Sequence, residues 1–115
     1  MDFLKYISTP AGQTEAAPLV TKLPLADGRL VGGWIYFPEG PAGVLHFLAR
    51  KGNSQILPFN TGENYRLNNI VIPFFLDIPW NEPPFTIDLI TWNTSDTYAH
   101  VLTVCFFLEH ISRQT

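Results

Sequence analysis

The segment NNIVIPFFLDIPWNEPPFTIDLITWN, residues 68–93, decides what kind of fold this chain adopts. In a half-buried strand, apolar and polar residues alternate, because successive side chains point to opposite faces. In IVIPFFLDI, Phe74 lies on one face while Val71 and Phe75 lie on the other, so both faces are apolar. The folded chain must therefore keep both faces of this strand away from water.

Two later segments divide in the same way. In FTIDLITWN, Ile87 and Leu89 share one face, and Trp92 lies on the opposite one. In YAHVLTVCFFLEH, Leu102 and every second residue on either side of it form one face. Phe107 belongs to the opposite face, which is also largely apolar. Several strands thus have a strong inner face and an outer face that also needs a cover.

Clusters of Gly, Pro, Asn and Asp separate the apolar runs and predict six or seven strands, at spacings of roughly 10 to 15 residues. Such spacing is typical of antiparallel sandwiches and barrels. We therefore expect an all-β antiparallel β-sandwich of jelly-roll type. Pro73 cannot donate a ladder hydrogen bond and predicts an edge strand or a bulge, and Gly32-Gly33 predicts a bulge or a close backbone approach.

Residues 1–26 differ from the rest of the chain. They contain Pro10, Pro18 and Pro24, which hold the backbone extended and remove amide donors. We interpret them as an extended N-terminal arm, followed by a sandwich domain over residues 27–115. Two possibilities remain open here: the arm reaches a neighbouring subunit, or it lies on its own domain as a tail or an edge strand.

The composition indicates that part of the surface is covered by other chains. Charged residues make up 15% of the chain and aromatic residues 14%, whereas a typical soluble domain has about 25% charged residues.

The net charge is −3, and the stretch from Leu67 to Ser112 has no Lys or Arg. Binding to nucleic acid is therefore not expected. No apolar run approaches the roughly 20 residues that span a bilayer, and no signal peptide is recognisable.

The second apolar face can be covered by the N-terminal arm, by a neighbouring subunit or by a ligand. Burial of each large apolar side chain contributes about 1.5 to 3 kcal/mol, so association of subunits is the simplest cover. We expect a homo-oligomer, most simply a trimer. The candidate interface anchors are large apolar residues of the strands: Trp34, Tyr36, Val71, Phe74, Phe75, Trp80, Trp92 and Phe107.

The sequence predicts no catalytic, cofactor-binding or metal-binding residues, and hence a non-enzymatic protein. The histidines His46, His100 and His110 have no metal-ligand spacing. Cys105 lies in the apolar run VLTVCFFL and is interpreted as a small buried thiol rather than a nucleophile. The carboxylates Asp77, Glu82 and Asp88 flank the turn at residues 79–84 and could meet as a glycosidase pair, but we interpret them as solvated charges beside a turn.

Two other functions use the same fold. Aromatic residues could form a stacking platform for a sugar, as in a carbohydrate-binding module; these residues are Trp34, Tyr36, Trp80, Trp92 and Tyr98. A phage tail or receptor-binding component would instead place a ligand site on loops such as NTGENYRLNN, residues 60–69.

The proline-punctuated segment STPAGQTEAAPLVTKLPLADG (8–28) is followed by GGWIYFPEGPAGVLHFLARKGNSQILPF (32–59) and by the closing strands FTIDLITWN (85–93) and HVLTVCFFLEH (100–110). This order resembles that of small β-sandwich decoration, or cement, proteins of tailed bacteriophage capsids. The resemblance implies a homotrimer that binds the major capsid protein and reinforces the shell. It also implies a location on the capsid exterior, after synthesis in the host cytoplasm.

Overall fold

A computed structural model describes residues 1–58 and 63–109, and these residues form eight β-strands. The strands are β1 (Asp2–Thr9), β2 (Leu19–Pro24), β3 (Gly28–Phe37), β4 (Leu45–Lys51), β5 (Ser54–Leu57), β6 (Ile70–Trp80), β7 (Thr86–Asn93) and β8 (His100–Glu109). No helix that could span a bilayer is present among the described residues. His110 and residues 60–62 of the loop NTGENYRLNN lie outside them.

The strands form two four-stranded antiparallel sheets. Sheet A has the order β1-β8-β3-β6 and sheet B the order β2-β7-β4-β5. Within the sheets, β1 pairs with β8, β2 with β7, β3 with β6 and β4 with β5. The predicted all-β antiparallel sandwich is confirmed.

The core lies between the two sheets and is built by the alternation of each strand. In β6 the buried residues Phe74, Leu76 and Trp80 share one face, as the spacing of two residues requires. In β8 the inward residues Leu102, Val104, Phe106 and Leu108 follow the same rule. Trp80 donates its indole N–H to the Phe85 carbonyl at 2.7 Å, so this large side chain is buried with its polar atom bonded.

Residues 1–26 belong to the sandwich, which corrects the prediction of a separate arm. β1 pairs along its whole length with β8, and β2 pairs along its whole length with β7. Ile7, Leu23 and Leu25 are members of the central core. The prolines at positions 10, 18 and 24 are compatible with this because they lie between the two strands or at the end of β2. The boundary at residue 26 therefore does not separate two structural units.

Both local features predicted from Gly and Pro are present. The pairing of β3 with its two neighbours shifts register between Leu30 and Gly32, which is the predicted bulge. A Cβ at Gly33 would lie 1.9 Å from the Cys105 carbonyl oxygen, so the two backbones approach too closely for any side chain. Pro73 lies on β6, which is an edge strand of sheet A.

A buried polar cluster joins the two sheets at the end of β1. Thr9 donates its hydroxyl to the Thr91 hydroxyl at 2.8 Å. The Asn93 amide donates to the carbonyls of Thr9 at 3.1 Å and Tyr98 at 2.9 Å. Because buried polar groups are costly when left without partners, these bonds hold β1 against β7 in one arrangement.

We expect deletion of residues 1–26 to unfold the domain. The deletion uncovers the edges of β8 and β7 and removes three core side chains, whose burial contributes about 5 to 9 kcal/mol. A typical domain is stable by only about 5 to 15 kcal/mol. Circular dichroism and urea unfolding of the truncated and full-length chains provide the measurement. A truncated chain with a cooperative unfolding transition would show that β1 and β2 are dispensable.

Candidate interaction surface

The outward surface of sheet A is apolar across all four strands. We call this surface the outer face of sheet A and define it by its outward residues: Leu4, Tyr6, Trp34, Tyr36, Val71, Pro73, Phe75, Val101, Thr103, Cys105 and Phe107. The strand register arranges them in rows. One row runs Leu4–Cys105–Trp34–Pro73 and the next runs Tyr6–Thr103–Tyr36–Val71. The rows make the apolar surface continuous.

Large side chains on this face are exposed in the isolated chain. Phe75 is 81% exposed, Tyr6 61% and Leu4 59%. Gly32 pairs with both Phe107 and Phe75, so no side chain separates the positions of these two rings across β3. The face therefore presents exposed apolar side chains on both of its edge strands, β1 and β6, which a complementary surface can cover.

Charged groups border this face at one end. Arg29 forms an ion pair with Asp77, and Glu109 lies opposite Arg29 in the pairing of β3 with β8. Asp2 lies opposite Phe107 in the pairing of β1 with β8. An apolar centre with a charged rim is the usual anatomy of a protein–protein interface.

The size of the face also matches an interaction patch. Four strands about 4.8 Å apart and about seven residues at 3.3 Å each give about 19 by 23 Å, or about 450 Å². The largest apolar patch of a typical monomer is about 300 to 600 Å² and is often functional. A standard interface covers about 800 Å² on each partner. The outer face of sheet A is therefore as large as the largest apolar patch of a typical monomer and about half the area that one partner contributes to a standard interface.

Five of the eight predicted anchors lie on this face and three do not. Trp34, Tyr36, Val71, Phe75 and Phe107 are brought together here. Phe74 and Trp80 have the opposite parity to Phe75 in β6 and are buried in the core. Trp92 is 5% exposed and belongs to sheet B. Burial removes Phe74, Trp80 and Trp92 from the candidate interface.

Leu4 and Tyr6 were missed as interface candidates. Their segment was interpreted as an arm, so its alternation was not assigned to a sheet. The signal was nevertheless present, because Leu4 and Tyr6 alternate with Phe3 and Ile7, which point towards the core.

The largest apolar side chains on the outer face of sheet B are covered by the chain's own residues. Leu48, Ile90 and Trp92 form a small buried cluster there. His46 stacks on Trp92 with ring centroids 4.9 Å apart. The connection between β1 and β2 runs beside this face, because the Gly12 N–H donates to the Ser95 carbonyl and the Asn93 N–H donates to the Gln13 carbonyl, both at 2.9 Å. Trp92 is therefore covered without a second chain, whereas Val20 at the edge of this face remains 48% exposed.

The predicted sugar platform is divided by the fold. Trp80 is in the core and Trp92 is buried in sheet B, while Trp34 and Tyr36 lie on the outer face of sheet A. Tyr98 is exposed but lies in the connection between β7 and β8. The five aromatic residues therefore do not form one stacking surface.

The carboxylates and the histidine that the sequence analysis tested for catalytic or metal-binding roles do not form a common site in the structure. Asp77 is paired with Arg29 beside sheet A, whereas Asp88 is paired with Lys22 on sheet B at 2.9 Å, so these carboxylates do not form a pair. His46 Nδ1 is bonded to the side-chain oxygen of Asn64 at 2.7 Å. Residues 1–58 and 63–109 contain no group of three or more His, Cys, Asp or Glu side chains that could hold a metal.

Cys105 points outward on sheet A but is covered by its neighbours. It is buried, and its cross-strand partners on the same face are Leu4 and Trp34. Burial raises the pKa of the Cys105 thiol, and the carboxylate of Asp2 raises it further. Both effects reduce the thiolate that a nucleophile needs.

No protein-family model, curated protein or solved structure matches this chain. The structure defines a two-sheet antiparallel β-sandwich with one self-covered face and one open apolar face.

At pH 8, we expect Cys105 of the native protein to react with iodoacetamide at least about tenfold more slowly than in the urea-unfolded chain, because the thiol is covered and its pKa is raised. Trp34→Ala should speed the native reaction by removing one cover. Val20→Ala, on the edge strand of sheet B, is the matched control and should leave it unchanged. A native rate equal to the unfolded rate would show that the thiol is accessible.

Proposed function

We propose that this protein is a non-enzymatic structural component of a virion. It acts as a capsid decoration, or cement, protein that associates with itself and binds the major capsid protein to stabilise the shell. The observation that carries this proposal is the outer face of sheet A. A continuous apolar surface of about 450 Å² is costly in water and is used most simply by covering it with protein.

We propose further that the sandwich is of jelly-roll type. The pairing of β1 with β8, β2 with β7, β3 with β6 and β4 with β5 supports this. It is the arrangement expected when a long antiparallel ribbon wraps into two sheets. Jelly rolls of eight strands are common in viral capsid and lectin domains. The shared architecture favours a capsid role by analogy of fold alone and identifies no binding site.

The oligomer is most simply a trimer in which each subunit covers the outer face of sheet A of its neighbour. The low share of charged residues, 15%, supports association, because a free chain of this size needs charge to remain soluble. Acidic residues outnumber basic ones by ten to seven. An acidic surface suits the exterior of a shell, away from packaged nucleic acid.

The carbohydrate-binding function is the second candidate. The specific observation in its favour is a shallow apolar depression formed by Trp34, Tyr36 and Val71 on sheet A. Aromatic faces of this kind can stack on a sugar ring. In this case the isolated protein is a monomer, and glycan titration quenches the fluorescence of Trp34.

We expect Phe75→Glu and Phe107→Glu to lower the mass of the oligomer to one third of the wild-type value while the chain stays folded. Each substitution places a charge in the apolar face, where burial without a partner is costly. Light scattering coupled to size exclusion, at several concentrations, measures the mass, and circular dichroism checks the fold. Tyr98→Glu is the matched control, since Tyr98 is 68% exposed but lies away from sheet A. An unchanged mass for both variants would remove the face from the interface.

The virion location is tested separately with an antibody raised against the purified chain. Immunogold electron microscopy of intact particles from the virus that encodes the chain should place gold on the capsid surface. Particles disrupted to expose their interior serve as the comparison. Labelling confined to tails would favour a receptor-binding role, and absence of the chain from purified particles would contradict a virion function.

A further inference from the structure

The four edges of the two sheets differ in how they are protected. On sheet A, β6 carries Pro73 and Pro79. On sheet B, β2 has six residues and ends at Pro24, and β5 has four residues. β1 has eight residues and no proline. Short strands and proline are common protections of a sheet edge, and β1 has neither. Its core-facing charged residue, Lys5, is a further kind of protection, but it leaves the backbone hydrogen-bonding groups of β1 in place.

The hydrogen bonds of Met1 identify which backbone groups of β1 are available. The Met1 nitrogen donates to the Leu108 carbonyl, and the Leu108 N–H donates to the Met1 carbonyl, both at 2.8 Å. In an antiparallel ladder such residues alternate with residues whose N–H and C=O point to the other side. The odd residues of β1 therefore bond β8. The even residues Asp2, Leu4, Tyr6 and Ser8 direct both groups to the free edge.

In the part of the chain that the structure describes, β1 has no strand on this free side. The even residues are also those that β1 contributes to the outer surface of sheet A. The open edge and the open apolar face therefore meet along one strand.

We propose that β1 pairs antiparallel with β1 of a second copy of this chain. The two copies of sheet A then form one continuous eight-stranded sheet about a two-fold axis. This proposal goes beyond the capsid function and does not depend on it.

Lys5 restricts the register of this pairing. Lys5 is half-buried and has the parity of the core-facing residues. A register centred on Lys5 would place two ammonium groups directly opposite each other, which is unfavourable. A register centred on Leu4 places Leu4 opposite Leu4, Lys5 opposite Phe3, and Asp2 opposite Tyr6 of the second copy. The alkyl stem of Lys5 then packs on an aromatic ring, and three residue pairs exchange six backbone hydrogen bonds.

The pairing also enlarges the apolar surface. Two outer faces of sheet A lie side by side in the continuous sheet and give about 900 Å², which exceeds the area per partner of a standard interface. The two-fold edge contact and the contact through the face are distinct. Together with a three-fold face contact, edge pairing produces a hexamer; without the face contact it produces a dimer.

Leu4→Pro tests the pairing most directly. It removes the Leu4 N–H of each copy, and these two groups are the donors at the centre of the proposed pairing. Because the Leu4 N–H bonds nothing within its own chain, the fold should be kept. Pro73 already occupies the opposite end of the same row of residues. Leu4→Val is the matched control, because it is similar in size and retains the N–H. We expect Leu4→Pro to halve the mass measured by light scattering and Leu4→Val to leave it unchanged.

The outcomes separate this proposal from the function proposed above. Phe75→Glu should reduce the mass threefold and Leu4→Pro twofold, so each contact has its own signature. A wild-type mass of three chains of 13.0 kDa would overturn the edge pairing and leave the face contact standing. A folded Leu4→Pro variant of unchanged mass would also overturn it.

Cross-linking provides a test that does not depend on the folding of the proline variant. Cys105 must first be replaced by Ala, because it lies opposite Leu4 within the same chain. In that background Leu4→Cys should form a disulfide between two copies on mild oxidation, since directly paired strand residues have a suitable separation. Ser8→Cys serves as the control, because in this register the two Ser8 residues lie on opposite sides of the two-fold axis, about eight residues apart along the paired strands, or about 26 Å. A Leu4→Cys chain that stays monomeric on a non-reducing gel would contradict the proposed register.

Discussion

Each strand of this sandwich can bury only one of its two faces between the sheets, and the difference between the two outer faces follows from that limit. A spacing of two residues assigns side chains alternately to the core and to the outside. Where the outward positions are also apolar, as Val71 and Phe75 are in β6, the sandwich cannot cover them. The cover must come from the chain's own connections or from another molecule.

The two sheets meet this limit differently. On sheet B, Trp92 is buried with Ile90 and Leu48, and His46 lies flat against its ring. Sheet A has no equivalent cover among the described residues, and its outer face remains apolar from β1 to β6. The largest continuous apolar surface of the described residues therefore lies on that side of the molecule.

The free edge of β1 adds direction to this surface. Apolar contacts alone are not directional, whereas a strand edge offers hydrogen bonds at fixed intervals and so defines an orientation. Leu4 and Tyr6 contribute to both, because their side chains join the apolar face and their backbone groups point to the open edge. Affinity and register would thus arise from the same strand, which would explain why β1 lacks the prolines found on β6.

The strands whose periodicity is local could be predicted from the amino-acid sequence. The alternation of β6, β7 and β8, the edge position of Pro73 and the bulge at Gly32-Gly33 all follow from residues close together in the chain. The strands β1 and β2 within residues 1–26 could not be assigned to a sheet in this way, because their partners β8 and β7 lie more than 60 residues away. Only the tertiary structure decided that Trp92 is covered and Phe75 is not. Whether an outer face is covered depends on the connections that run beside it. The local alternation of side chains therefore does not predict which of the two outer faces is covered.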